Sequence, residues 1–363
     1  MEKKLRVGIL GATGMVGQRF VTLLAEHPWF EICVLAASAR SAGKRYEDAV
    51  GSKWKMTTPM PETVKDMIVR NITDIEGITA DVDFVFSAVN MTKDEIRAIE
   101  EEYAKTETPV VSNNSAHRNT PDVPMVIPEI NSDHFAIIEE QKKRLGTKRG
   151  FIAVKPNCSI QSYIPCLAAW REFEPTKMSV CTYQAISGAG KNFEDWPEMI
   201  GNIIPYIGGE EEKSEQEPLK ILGHIEGDHI VKAASPVISA QCIRVPVLNG
   251  HTAAASISFA KPVTKEVLIE KLLAYFENNK AQALGLPSAP TPFVRYMTED
   301  NRPQVTMDVD FGKGMGVSIG RLREDNVFDF KFVGLSHNTL RGAAGGAVEC
   351  AEMLTALGYI SAK

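Results

Sequence analysis

The chain has 363 residues, enough for two hydrophobic cores rather than one. Its 40 Lys and Arg against 46 Asp and Glu leave a formal net charge of −6 with no basic run, which excludes a nucleic-acid footprint. Cys33, Cys158, Cys166, Cys181, Cys242 and Cys350 are scattered with no CxxC pair, no apolar run is long enough for a membrane span, and the N-terminus runs straight into a strand with no room for a signal peptide, so a soluble protein of the reducing cytoplasm is expected.

Taken in order, LRVGIL, EICVLAAS, VDFVFSAV and PVVSNN read as strands, and VGQRFVTLLAEH and a stretch from about Lys93 to Lys105 as helices. Such alternation predicts βαβ units and a parallel sheet of Rossmann type. Between the first strand and the first helix lies Gly11-Ala12-Thr13-Gly14-Met15-Val16-Gly17, a GxxGxxG turn. Backbone amides at a helix N-terminus in that position can cradle a pyrophosphate, which makes Gly11, Thr13, Gly14, Met15 and Val16 cofactor candidates. After the second strand come Ser38, Arg40, Ser41 and Lys44, where an NAD site would place an acid for the ribose 2′-hydroxyl. Cations and hydroxyls suit a 2′-phosphate, so NADP(H) is the expected cofactor.

Strand-like FIAVKP leads into Asn157-Cys158-Ser159 and helix-like SIQSYIPCLAAW. A cysteine at a helix N-terminus is expected to have a lowered thiol pKa, the condition for a nucleophile. Beyond it the pattern changes to longer alternating strands, MSVCTYQAI, CIRVPVL, TAAASISFA and VFDFKFVG, with helices and an acidic loop GGEEEKSEQE between them, which predicts an α/β domain with a mixed or antiparallel sheet. Ser187-Gly188-Ala189-Gly190-Lys191 is not a P-loop, since Ala185 stands where glycine is required and Asn192 follows the lysine. His224, Asp228 and His229 match no common metal spacing and are read as surface-loop residues, so no metal is expected. His251, seven residues after Arg244, is the candidate proton shuttle for a thioacyl reaction. The tail NTLRGAAGGAVECAEMLTAL reads as a helix returning to the first domain, so residues 1–157 with 337–363 form the cofactor domain and 158–336 the catalytic and dimerisation domain.

GATGMVGQ, SNNSAHR, VPMVIPEIN, KPNCS, TYQAISGAG, GEEEK, CIRVPVLNGH and NTLRGAAGGA, in this order along nearly the whole length, resemble the aspartate-semialdehyde dehydrogenases, and their archaeal and fungal branch more than the common bacterial one. The resemblance implies NADPH-dependent reductive dephosphorylation of L-aspartyl 4-phosphate to L-aspartate 4-semialdehyde through a cysteine thioacyl intermediate, in lysine, methionine and threonine biosynthesis. It implies Cys158 as nucleophile, His251 as acid/base and Gln184 as the positioner of the thioacyl group. Arg244 would then pair with the substrate carboxylate, Glu210 with its ammonium, and Lys213 and Arg118 with phosphate, Asn157 lying beside the nucleophile. Ser187, Gly188 and Asn338 would complete the cofactor set, Asn338 near the nicotinamide amide. A homodimer or homotetramer is implied, with a small-molecule substrate and neither nucleic acid nor membrane as partner. Reduction of malonyl-CoA or another acyl-CoA, reduction of N-acetylglutamyl phosphate, and a cofactor-sensing protein without turnover are the alternatives.

Overall fold

The structure is a computed structural model describing residues 3–363. Strands β1 (Leu5–Leu10), β2 (Phe30–Ala37), β3 (Arg70–Asn71), β4 (Phe84–Ser87), β5 (Val110–Ser112) and β6 (Ile152–Val154) form one sheet in the order β3-β2-β1-β4-β5-β6, every pair parallel. This is the doubly wound dinucleotide-binding order, whose switch point lies between β1 and β4. Its central strands are buried along their length because helices cover both faces. The helix Lys93–Lys105 starts where expected for a local reason: Thr92 and Glu95 form a capping box, each satisfying the other's backbone amide. The C-terminal helix Gly345–Ala356 returns to this sheet and packs Val348, Met353 and Leu354 into a core shared with Val7, Phe20 and Phe86. Each such fully buried side chain contributes about 1.5–3 kcal/mol.

After a second stretch of chain come β7 (Pro175–Gln184), the small hairpin β8 (His224–Glu226) and β9 (His229–Val231), then β10 (Val237–Arg244), β11 (His251–Phe259), β12 (Val294–Met297), β13 (Val317–Glu324) and β14 (Phe330–Ser336). Apart from the hairpin these strands form a mixed sheet, β10-β7-β11-β14-β13-β12, parallel at its two outer pairs and antiparallel within. β11 shows the expected period of two, with Ala253, Ala255 and Ile257 buried beneath Trp170, Leu268 and Leu272. The α/β reading with one parallel and one mixed sheet is thus what the chain forms.

Three local expectations are corrected. The acidic segment GGEEEKSEQE is the start of a helix, Glu210–Ile221, entered from Gly209 in a left-handed conformation at φ 70°. Three glutamates in its first turn suit the positive end of the helix dipole, and Pro218, which cannot bond the carbonyl of Ser214, leaves that oxygen to the Tyr163 hydroxyl at 2.9 Å. The segment after Cys158 is not one helix: a tight turn Ser159–Ser162 breaks at Tyr163 and a short helix Ile164–Ala169 follows, with Pro165 in its first turn. The tail becomes regular only at Gly345, because Leu340–Ala344 is a wide turn with Ala343 outside helical geometry. His224 and His229 stand exposed on β8 and β9, His229 beside Asp228 at 3.1 Å.

Candidate active site

The switch point opens a cavity of about 610 Å³ lined by Gly11, Thr13 and Gly14 of the turn and by Ser38, Arg40 and Ser41 after β2. Gly11, at φ 86°, has no room for a side chain, since a Cβ would fall 2.3 Å from the Ala88 carbonyl oxygen. Gly14, by contrast, faces open space, with only the Gly11 oxygen within 3.5 Å of a built Cβ. Arg40, Lys44 and Lys53 supply positive charge to this lining, and among the described residues no acidic side chain joins it. The space and donor set therefore fit a dinucleotide carrying a 2′-phosphate. Lys53 was not singled out by sequence reasoning, because nothing in a short segment predicts that it folds back to β2.

A second cavity, about 290 Å³, lies on the other side of the Gly-rich turn and contains Cys158. Met15, Val16, Ser187, Gly188 and Asn338 line it together with Arg118, Asn157, Glu210 and Lys213. The proposed cofactor residues are thus divided between the two cavities, as a molecule running from one to the other requires. Arg19 also faces the second cavity, one helical turn beyond Met15, with its Nε buried and without a hydrogen-bond partner among the described residues. Its signal in the sequence was only this spacing.

Chain geometry explains the convergence. Cys158 follows β6 at the carboxyl end of the parallel sheet, where doubly wound folds bind ligands. The antiparallel pairing of β7 with β11, Tyr183 opposite Thr252, brings His251 against the end of β7. There the Ala185 N–H donates to His251 Nδ1 at 3.0 Å, and His251 Nε2 lies 3.4 Å from Cys158 Sγ. A ring that accepts at Nδ1 carries its neutral-form proton on Nε2, so His251 presents an N–H toward the sulfur. Burial, reinforced by the Arg244 charge, lowers the His251 pKa to about 3, which keeps the ring neutral at physiological pH.

The expected lowering of the Cys158 pKa is corrected. Burial and then the Glu210 charge raise it, against the pull of Lys155, Arg118 and Arg244. The four-residue turn Ser159–Ser162 has too few aligned peptides to supply the dipole a long helix would.

Glu210 is the hub of the polar groups. It accepts from Asn157 Nδ2 at 3.0 and 3.1 Å, from Gln184 Nε2 at 3.2 Å and from Lys213 Nζ at 2.7 Å. Burial alone would raise its pKa, but the Lys213 charge and these hydrogen bonds outweigh it, and Glu210 is held ionised. The three-residue spacing to Lys213 is a helical ion pair, and the neighbouring glutamates point elsewhere, Glu211 accepting from the Cys242 amide at 3.3 Å. Asn157 is fully engaged: its Oδ1 accepts from the Ser159 N–H at 2.8 Å and hydroxyl at 2.7 Å, so its side chain shapes the nucleophile turn. Arg118 donates to Glu217 at 3.0 Å, to the Lys155 carbonyl at 3.1 Å and to the Asn113 carbonyl at 3.2 Å. Arg244 donates to the Ala185 carbonyl at 2.6 Å. Gly188 closes over it, since a Cβ there would meet Arg244 Nη1 at 3.0 Å and the His251 ring at 3.3 Å. Asn338 bridges segments, donating to Ser187 Oγ and accepting from the Gly250 N–H, both at 2.8 Å.

Glu217 and Lys155 were missed by sequence reasoning. Glu217 accepts from both Arg118 and the Asn157 amide, the latter at 2.6 Å, and so ties the Glu210–Ile221 helix to the nucleophile turn. A seven-residue step from Glu210 on one helix face was the available signal, hidden while the segment was read as a loop.

A dinucleotide-binding fold with a cysteine and a histidine at its cleft belongs to the dehydrogenases by its family matches: the semialdehyde dehydrogenase NAD binding domain matches residues 6–138 and the semialdehyde dehydrogenase dimerisation domain residues 167–341. Aspartate-semialdehyde dehydrogenase of Aspergillus fumigatus is 40% identical over 98% of this chain and 99% of its own length, and that of Methanothermobacter thermautotrophicus 43% identical over 96% and 99%. The crystal structure of aspartate-semialdehyde dehydrogenase with NADP from Candida albicans superposes with a TM-score of 0.87 at 39% identity, covering 99% of this chain and 100% of that one. The chain belongs to the aspartate-semialdehyde dehydrogenase family.

Proposed function

We propose that the protein catalyses NADPH-dependent reductive dephosphorylation of L-aspartyl 4-phosphate to L-aspartate 4-semialdehyde, a step toward lysine, methionine and threonine. The observation that carries this reading is the 3.4 Å contact of buried His251 Nε2 with Cys158 Sγ, the sulfur's residue lining a cavity with Arg118, Glu210 and Lys213. Membership in the family and the relative solved with NADP support the same activity and cofactor.

In this mechanism the Cys158 thiolate attacks the acyl carbon of the phosphate anhydride and phosphate leaves, giving a thioester on Sγ. His251 Nε2–H donates to the oxyanion of the tetrahedral adduct, and again to the oxyanion formed when the thioester is reduced. Bound NADPH supplies the hydride for that reduction. Collapse of the second adduct returns the sulfur as thiolate and releases the aldehyde, so neither step requires His251 to give up its proton permanently. Gln184 Nε2, fixed on Glu210 at 3.2 Å, orients the acyl group. Arg244 offers a planar fork to the substrate carboxylate and Glu210 an acceptor to its ammonium. Lys213 and Arg118 hold the phosphate. Gly11, Thr13, Gly14, Ser38, Arg40 and Ser41 would hold the adenosine and pyrophosphate portion, and Met15, Val16, Ser187, Gly188 and Asn338 the nicotinamide end. Residues 1–157 with 337–363 serve the cofactor and 158–336 the chemistry and self-association. A homodimer or homotetramer in the cytoplasm completes the reading; none of the described helices is long and apolar enough to cross a membrane.

The purified protein is given NADPH with either aspartyl phosphate or malonyl-CoA and absorbance is followed. Oxidation with aspartyl phosphate alone supports the reading; oxidation with malonyl-CoA alone replaces it with acyl-CoA reduction, and oxidation with neither leaves a cofactor-binding protein.

A further inference from the structure

His251 leaves the origin of the thiolate unexplained. Its Nε2 already carries the ring proton, and accepting the Cys158 proton there would turn a second N–H at Nδ1 against the Ala185 N–H. A cation close to the sulfur would favour its ionised form. Directly behind the nucleophile turn lies Lys155, an amine only 2% exposed. Its Nζ donates to the Pro156 carbonyl at 2.5 Å and to the Gly342 carbonyl, and among the described residues no carboxylate is a hydrogen-bond partner. Gly342 is itself packed on the nucleophile, since a Cβ built on it would fall 2.8 Å from Cys158 Cβ and 3.2 Å from its Cα. The amine, the two carbonyls and Cys158 thus form one packed unit across the cleft between β6 and the C-terminal turn.

We propose that Lys155 is a positioning residue whose ammonium, held on the Gly342 and Pro156 carbonyls, provides the positive charge that sustains the Cys158 thiolate. The inference rests on the reading of Cys158 as nucleophile. Burial lowers the Lys155 pKa to about 7 while Cys158 opposes that shift, and burial raises the thiol while Lys155 opposes that one. Arg118, Glu217 and Cys350 also face the amine, and Glu210, Arg118, Arg244 and His251 face the sulfur. The neutral pair and the ionised pair hold the same number of protons: conversion moves one proton from Sγ to Nζ and breaks no other bond. Burial disfavours either charge alone, so the ionised pair draws its stability from the mutual attraction of the two groups.

The test is alkylation by iodoacetamide, which forms an S–C bond and releases iodide only from the thiolate. Its rate at Cys158 is read by peptide mass spectrometry across a pH series, in the parent and in Lys155→Met, which keeps the length of the side chain and removes its charge. The expected result is an apparent thiol pKa raised by about one unit or more and an alkylation rate at pH 7 lowered about tenfold or more. Superimposable pH profiles would overturn the proposal even if turnover fell, because a packing role alone would not shift the ionisation. If Lys155→Met does not fold, the ζ-nitrogen of Lys155 is titrated by NMR in the parent and in Cys158→Ser. An amine titrating near 7 in the parent and lower in the variant supports the pair; identical titrations refute it. Alkylation needs neither substrate nor cofactor, so an error in the proposed reaction would show as turnover in Cys158→Ala and leave this outcome unaffected.

Discussion

Gly342→Ala adds one methyl group at a place where the structure sets its consequence. The new Cβ would stand 2.8 Å from Cys158 Cβ and 3.2 Å from its Cα, whereas carbon pairs settle at about 3.5–4.0 Å. Relief requires Cys158 to retreat by about 0.7 Å or more relative to the C-terminal turn. The retreat also disturbs the 3.4 Å approach of Sγ to His251. Since a misplacement on the order of 1 Å can cost about 10²-fold in rate, kcat should fall roughly 10- to 100-fold. The assay is steady-state NADPH oxidation with aspartyl phosphate, accompanied by thermal unfolding and by binding of 2′,5′-ADP, which reaches only the cavity after β2. Binding of 2′,5′-ADP should change by less than about twofold, because Gly342 lines the other cavity. A folded Gly342→Ala enzyme with kcat within about twofold of the parent would refute the reasoning that Cys158 is held in place by this contact.

Arg40→Asp should weaken NADPH far more than NADH, since it turns attraction for the 2′-phosphate into repulsion in a lining that holds no other acid; equal effects in titrations of both cofactors would remove Arg40 from the phosphate site. Glu217→Ala strips a buried partner from Arg118 and from the Asn157 amide and should cost about 3–5 kcal/mol by urea unfolding, as an uncompensated buried charge does; a loss below about 1 kcal/mol would mean that Arg118 is solvated. Burial lowers the pKa of His251 to about 3 and of His337 to about 4, both from 6.5 in the unfolded chain, so their contribution is fully present above pH 6.5 and is lost as pH falls toward those values. Each should remove up to about 1.4 kcal/mol of stability per pH unit below 6.5, and a urea midpoint that stays constant from pH 7 to pH 5 would contradict their neutral burial.

The cofactor half of the fold was legible because its signals are local. Period, turn glycines and the Thr92–Glu95 cap each act within a few residues. The order of strands then follows from parallel crossovers that have few alternatives. The site was legible in part for a different reason: KPNCS, TYQAISGAG, GEEEK and CIRVPVLNGH resemble the motifs of a known family, and the fold brings Cys158 against His251 and Gln184 against Glu210. The failures came from interactions distant in sequence. The glutamate-rich segment reads as loop by composition, yet it is a helix whose proline is tolerated because Tyr163, from another element, takes the freed carbonyl. The raised Cys158 pKa depends on burial by the C-terminal turn, which no local pattern reports. Glu217 and Lys155 are ordinary charged residues in sequence and acquire meaning only once the Glu210–Ile221 helix and Gly342 close around the nucleophile.

The most direct test of the central claim is to mix the protein with aspartyl phosphate in the absence of NADPH and follow both released phosphate and the mass of the peptide containing Cys158. An aspartyl group on Cys158, one phosphate released for each group attached, and clearance of the adduct as aldehyde on addition of NADPH are predicted. Phosphate released with Cys158 unmodified, or an adduct on another residue, would contradict the account.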